Sequence, residues 1–273
     1  MHTSTPGPIT LLTDFGDIDP FVGILKGVIL SINPGAVIVD LCHKVPPQDI
    51  GYGAVMLDTA MDYFPRGTIF CAVVDPGVGS SRRPVLVETS DYFMVGPDNG
   101  LLWQAAQRNT IKNVVHLTRS RYFLSCVSAT FHGRDIFAPV AARLSTGIQP
   151  AAFGEPAQEL ARCVPDTPEP VDRGLLLTVR SIDTFGNIGL NLTWENFKPY
   201  ADKGFCLQIN DTAITGYYQS YASAPENQPF VLTASTGYME IAVKNRHAAK
   251  LLAVSRQDKI LLMEKGSSPS SDI

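Results

Sequence analysis

Strand-sized apolar runs alternate with longer amphipathic segments along the first half of this chain, and that alternation limits the folds open to it. ITLLTDF reads as a strand and VGILKGVILSIN as a helix ending near Asn33. AVIVDL is a strand, DIGYGAVMLDTAMDYF a helix stopped by Pro65, TIFCAVVD a strand, and PVLVETSDYFMVG two strands joined at Ser90-Asp91. DNGLLWQAAQ and IFAPVAARLS read as helices, the second interrupted early by Pro139. Strands separated by helices imply an α/β domain with a mostly parallel central sheet covered on both faces.

The texture then changes. CVPDTPEPVDRG carries three prolines and reads as a linker. LLLTVRSID, FCLQIN, FVLTAS, YMEIAVKN and KILLM are short runs divided by turn residues, with no long helical period. They predict a smaller all-β, barrel-like C-terminal domain. The expected organisation is an N-terminal domain over residues 5–163, a linker over 164–173, a β domain over 174–264 and a disordered tail over 265–273.

A net charge of −4 without a basic run argues against nucleic acid as the partner. No apolar run reaches the length of a membrane span, and the N-terminus lacks a signal-peptide pattern, so a cytoplasmic protein is expected. Five scattered cysteines form no C-x-x-C pair and read as free thiols. No phosphate-loop, dinucleotide, nucleophile-elbow or zinc-protease motif occurs, and the five histidines show no ligand spacing, so neither metal nor cofactor is expected.

Three acids stand at predicted strand ends: Asp14, Asp40 and Asp75. One such acid caps a helix or shapes a turn; three on one rim of a parallel sheet imply a polar ligand. In VVDPGVGSSRR and TFHGRD an acid, a cation and an imidazole become available to one another. Arginine beside a carboxylate orients it, and the carboxylate can then orient a histidine or accept a proton from water. The residues alone equally allow a structural ion pair holding the PGVG loop, with His132 capping a helix.

LLTDFGDIDPFVGILKGVILSINP, VPPQDI, VVDPGVGSSRR, VGPDNGLL, TFHGRDIFAPVAA, DTFGNIGLN and STGYMEIAV follow one another in an order that resembles the S-adenosyl-L-methionine hydroxide adenosyltransferases, relatives of the fluorinase and chlorinase. The resemblance spans about residues 8 to 262. It implies an α/β domain joined to a β-barrel-like domain, in a homotrimer whose active sites lie between subunits. The implied reaction is in-line attack of water or hydroxide on C5′ of S-adenosyl-L-methionine, giving adenosine and L-methionine.

The resemblance assigns water activation to Asp75, Arg82 and His132, leaving open whether Asp75 or His132 takes the proton. Arg83 is expected to face solvent. Asp14 matches an acid that holds the ribose hydroxyls. Asp183, Phe185 and Asn187 match a segment at the methionine amine and the adenine, and Ser235 a serine near the methionine carboxylate. Halogenating relatives have tyrosine at the Asp75 position, and a buried carboxylate repels a halide. Val243 stands where the fluorinase has arginine, so a carboxylate contact is missing or supplied otherwise. Halide transfer and sequestration of adenosine or S-adenosyl-L-methionine are the rival readings.

Overall fold

A computed structural model of the chain describes residues 7–163, 166–172 and 174–265, which fall into two compact units divided after residue 165. Tail positions 266–273 and linker positions 164, 165 and 173 lie outside the described residues.

The first unit runs β1 (Ile9–Thr13), α1 (Phe21–Ile32), β2 (Ile38–Cys42), α2 (Ile50–Ala60), β3 (Ile69–Val73), β4 (Pro84–Thr89), β5 (Phe93–Pro97), α3 (Trp103–Gln107), β6 (Ile111–Leu117), α4 (Ala138–Ser145) and β7 (Gly154–Pro156). Its seven strands form one sheet in the order β2-β1-β3-β5-β4-β6-β7. The first four are parallel neighbours, whereas β4, β6 and β7 pair antiparallel. The sheet therefore has the expected parallel strands but is mixed, because the short turn at Ser90-Asp91 can only join antiparallel neighbours.

Every residue of β1 and β3 is buried. Ile9, Leu11, Ile69 and Cys71 pack with Leu25, Ile29 and Val140 of α1 and α4 on one face. Leu12, Phe70 and Ala72 pack with Leu57 and Ala105 of α2 and α3 on the other. Two covered faces explain why these strands read as unbroken apolar runs. Pro139 does not interrupt a helix: a π-helical turn over Gly133–Phe137 comes first, and Pro139 sits in the first turn of α4, where its missing N–H costs nothing.

The second unit contains β8 (Glu169–Val171), β9 (Gly174–Ile182), β10 (Ile188–Thr193), α5 (Trp194–Lys203), β11 (Phe205–Ile209), β12 (Thr212–Ile214), β13 (Pro229–Thr233), β14 (Tyr238–Val243), α6 (Ala248–Leu251) and β15 (Lys259–Glu264). The strands follow the order β12-β11-β15-β9-β10-β14-β13, with β8 against β9, and all pair antiparallel. Val231 of β13 bonds the chain just beyond β12, its N–H to Gly216 O at 2.8 Å and its O from Tyr218 N at 2.9 Å. These bonds nearly close a barrel. Part of the expected linker is thus a strand, Glu169–Val171. Helix α5 has no counterpart in the sequence reading: Trp194, Phe197, Tyr200 and Ala201 give it an apolar face, but it is short and Pro199 inside it reads as a breaker. The Thr193 side chain caps it through Asn196 N. Among the described residues no helix is long and apolar enough to cross a membrane.

Candidate active site

Strands β1 and β3 run parallel with Thr13 opposite Val73, so Asp14 and Asp75 leave the sheet at the same carboxyl edge. Asp40 does not share that position. It lies inside β2 opposite Leu11, bonded to Lys26 at 2.6 Å and to His43 at 3.1 Å.

Beyond β3 the PGVG loop turns tightly, with Val78 N to Asp75 O at 3.2 Å and Ser80 N and Oγ both to Gly77 O. Gly79 has φ +78°, and a Cβ there would stand 2.3 Å from Ala129 O, so only glycine fits. The loop returns Arg82 onto Asp75. Arg82 Nε donates to Asp75 Oδ1 at 2.9 Å and Nη2 donates to Oδ2, a bidentate pair with side chains 9% and 5% exposed. The Phe137 ring backs the guanidinium at 5.4 Å.

His132 enters from a different segment. It occupies the residue before the Gly133–Phe137 turn but caps nothing; its Nδ1 lies 2.6 Å from Arg82 Nη2. A guanidinium has only donors, so Nδ1 accepts and the neutral ring carries its proton on Nε2. Burial, and then the Arg82 charge, hold His132 below the usual histidine range, with Asp75 and Asp135 opposing. The set therefore presents a carboxylate and an imidazole N–H, linked through one arginine. Arg82 Nη1 is buried with no partner among the described residues.

Arg83 is partly exposed, as expected of a solvent-facing residue, but it is also tied down. It donates from Nε to Asp98 Oδ2 at 2.9 Å and from Nη2 to Glu159 O at 2.7 Å. Asp98 Oδ1 accepts from Ala161 N at 2.6 Å, so the pair fastens residues 159–161. Adjacent arginines thus point to different carboxylates, one at the candidate site and one structural.

Asp14 accepts from Gln48 N at 2.8 Å through Oδ2. Gln48 adopts φ +65°, a strained conformation for a residue with a side chain, and its N–H meets the carboxylate. Beside it Phe15, Phe21 and Phe131 pack edge to face. Gly133 lies against this cluster: a Cβ there would meet Phe15 Cζ at 3.4 Å, an ordinary contact.

Asp183, Phe185, Asn187 and Ser235 come together in the second unit, lining a cavity of about 1010 Å³. Asp183 Oδ1 accepts from Asn187 N at 2.8 Å and Oδ2 from Asn187 Nδ2 at 3.0 Å. Phe185 is 79% exposed. Gly186 takes φ +90°, and a Cβ there would overlap the His247 ring at 2.2 Å. Tyr221 and Glu240, which the sequence reading missed, line the same cavity, with Tyr221 Oη donating to Glu240 Oε1 at 2.6 Å. Burial, and then Glu240, push the Tyr221 phenol above its usual range; burial and the Asp183 charge raise Glu240. Glu240 was within reach of the sequence, inside STGYMEIAV, whereas Tyr221 lies in a short 3₁₀ turn with no pattern around it. Val243 lines the wall with Lys244 and Arg246, which supply cations there.

Cys42, Cys71, Cys126 and Cys206 are free thiols. Burial pushes Cys71 up to about 12. Among the described residues no group of three His, Cys, Asp or Glu side chains is placed to hold a metal ion.

The family's N-terminal domain, described as the SAM hydroxide adenosyltransferase N-terminal domain, matches residues 9–154, and its C-terminal domain matches residues 177–261. The chain belongs to the SAM hydroxide adenosyltransferase family. It is 37% identical to the (R)-S-adenosyl-L-methionine hydrolase of Salinispora tropica, over 92% of this chain and 96% of that one. Similarity to the fluorinase of an Actinoplanes species is lower, 26% over 89% and 92%. A solved structure of a conserved protein from Thermotoga maritima superposes with a TM-score of 0.86 at 31% identity, over 93% and 99%. As a SAM hydroxide adenosyltransferase relative, the chain carries the two halves of the family in their order, with the Asp75 set in the first and the cavity in the second.

Proposed function

We propose that this protein is an enzyme that hydrolyses S-adenosyl-L-methionine to adenosine and L-methionine, by in-line attack of water on C5′. The observation that carries the reading is Arg82, held bidentately by Asp75 and bonded at 2.6 Å to His132. Kinship with hydrolases at 33–37% identity supports the substrate.

The leaving group departs as a neutral thioether, so no general acid is needed. What the reaction needs is a nucleophile held in line, an acceptor for its proton and a dry surround. In this reading Asp75 accepts the proton. His132 has committed its lone pair to Arg82, so its Nε2–H donates to the water oxygen and fixes its direction. Arg82 locks both partners, and its unpartnered Nη1 remains a donor that a bound oxygen would satisfy.

Asp14 takes the ribose hydroxyls. Asp183, Phe185, Asn187 and Ser235 take the methionine amine, the adenine and the methionine carboxylate. The reading needs no cofactor or metal and includes a cytoplasmic homotrimer, in which the N-terminal half of one subunit and the C-terminal half of the next complete each site. The Asp75 charge disfavours halide transfer.

The test is chromatography of the protein incubated with S-adenosyl-L-methionine in ¹⁸O-labelled water, with and without chloride. Adenosine labelled at its 5′ oxygen is the expected product. A 5′-chloro nucleoside, or bound but unconverted ligand, would overturn the reading in favour of a halogenating or a sequestering protein.

A further inference from the structure

Asp40 is the one strand acid that the proposed chemistry does not use, yet it heads a hydrogen-bonded chain that ends beside Asp14. Lys26 Nζ donates to Asp40 Oδ2 at 2.6 Å, and Asp40 Oδ1 lies 3.1 Å from His43 Nε2. A carboxylate only accepts, so Nε2 carries a proton. His43 Nδ1 lies 2.9 Å from Thr13 Oγ1, and in the neutral ring it accepts the Thr13 hydroxyl proton. Thr13 Oγ1 in turn accepts from Phe15 N at 3.3 Å.

The ends of the turn that bears Asp14 are therefore both tied to one residue. His43 holds Thr13 through its ring, and its main-chain O accepts from Gly16 N at 2.7 Å. Between them the Asp14 carboxylate accepts from Gln48 N at Oδ2. The Thr13 side chain is fully buried and His43 is 12% exposed, so the Thr13–His43 link is sheltered from competing water, whereas the Asp40 end, 44% exposed, meets solvent. Gly16 takes φ +72°, a left-handed conformation that glycine adopts without steric cost.

We propose that His43, oriented by Asp40, is a positioning residue that aims the Asp14 carboxylate at a vicinal diol. This rests on the reading of Asp14 as the ribose contact. His43 does not touch the reacting atoms. It fixes the turn before ligand arrives, so that Asp14 binds two hydroxyls without an ordering cost.

The experiment compares adenosine with 2′,3′-dideoxyadenosine by calorimetry on the full-length protein, for the wild type, His43→Ala, His43→Gln and Thr13→Val. The wild type is expected to prefer adenosine. His43→Ala and Thr13→Val should reduce that preference by about tenfold while leaving dideoxyadenosine affinity unchanged. His43→Gln, which keeps one donor and one acceptor, should recover part of it. In turnover the loss should fall on KM and spare kcat.

Preference retained in full by both variants, or equal loss of affinity for both ligands, would overturn the positioning role. A wild type that fails to distinguish the two nucleosides would instead remove Asp14 as the ribose contact, and this inference with it. If His43→Ala does not fold, Thr13→Val decides, because valine matches threonine in shape and removes only the hydroxyl.

Discussion

Arg82 Nη2 lies 2.6 Å from His132 Nδ1, fifty residues away in sequence, while the same guanidinium grips both oxygens of Asp75. One cation therefore decides the protonation geometry of its two neighbours. The histidine it touches has no lone pair left for a proton from water.

That relationship separates two substitutions. Asp75→Asn should lower kcat by on the order of 10²–10⁴-fold, the usual worth of a general base. His132→Gln retains an N–H donor and should lose about tenfold or less, whereas His132→Ala should lose more. Steady-state kinetics on the three variants, with circular dichroism to check folding, tests the assignment. Equal damage from His132→Gln and Asp75→Asn would make the histidine the base.

The pH profile follows from the direction of the His132 shift. Burial and Arg82 hold the ring neutral, so the folded state resists a proton that the unfolded chain accepts. Stability from this group is complete above the unfolded histidine value and falls as pH drops through the folded one. The acid limb of kcat/KM should lie below the usual histidine range. Thermal melts across that window should show acid destabilisation that His132→Gln reduces.

If each site is shared between subunits, two dead variants should complement each other. Asp75→Ala and Asp183→Ala, each inactive alone, should regain about a quarter to a third of wild-type activity when coexpressed and purified as mixed trimers. Light scattering should give a trimer mass. Mixed trimers without activity would place both halves of a site in one chain.

Arg83 and Arg82 should behave as different residues despite their adjacency. Arg83→Ala removes the tie to Asp98, whose side chain is 4% exposed, and leaves its Oδ2 without the guanidinium. A loss of about 1–2 kcal/mol is expected, since Arg83 is itself partly exposed and Asp98 keeps its bond from Ala161 N, read by urea unfolding, with kcat largely retained. Arg82→Lys should show the reverse, a modest change in stability and a large loss of kcat, because an ammonium cannot hold Asp75 bidentately and His132 at once.

Gly186→Ala is the sharpest test of the second unit. Its φ of +90° and the His247 ring 2.2 Å from a Cβ leave no room for a methyl group. The expected result is a destabilisation of about 1–3 kcal/mol and weakened L-methionine binding. Unchanged binding would mean that the cavity wall does not hold the ligand.

Local pattern carried the strands of the parallel half, because β1 and β3 are buried on both faces and so read as continuous apolar runs. Helices α1 and α2 were legible from their apolar period and their stops. Helix α5 was not, since Pro199 inside so short a segment reads as a breaker although Trp194, Phe197, Tyr200 and Ala201 share one face. Strand β10 is hidden in the sequence because within DTFGNIGLN the turn residues mask the run that follows.

The candidate residues were legible as motifs and not as partners. Spacing alone puts Arg82 and Arg83 equally near Asp75; the PGVG turn, with Gly79 forced against Ala129, sends one to Asp75 and the other to Asp98. What the sequence by itself determined was the order of elements, the acids near the strand ends and the family to which the chain is similar, since these depend on neighbours along the chain. Tertiary structure alone decided that Arg82 faces His132 with its lone pair engaged, that Tyr221 meets Glu240, and that His43 holds the turn of Asp14. Those contacts join residues 19 to 50 positions apart, and their directions depend on turn geometry and burial that no local pattern encodes.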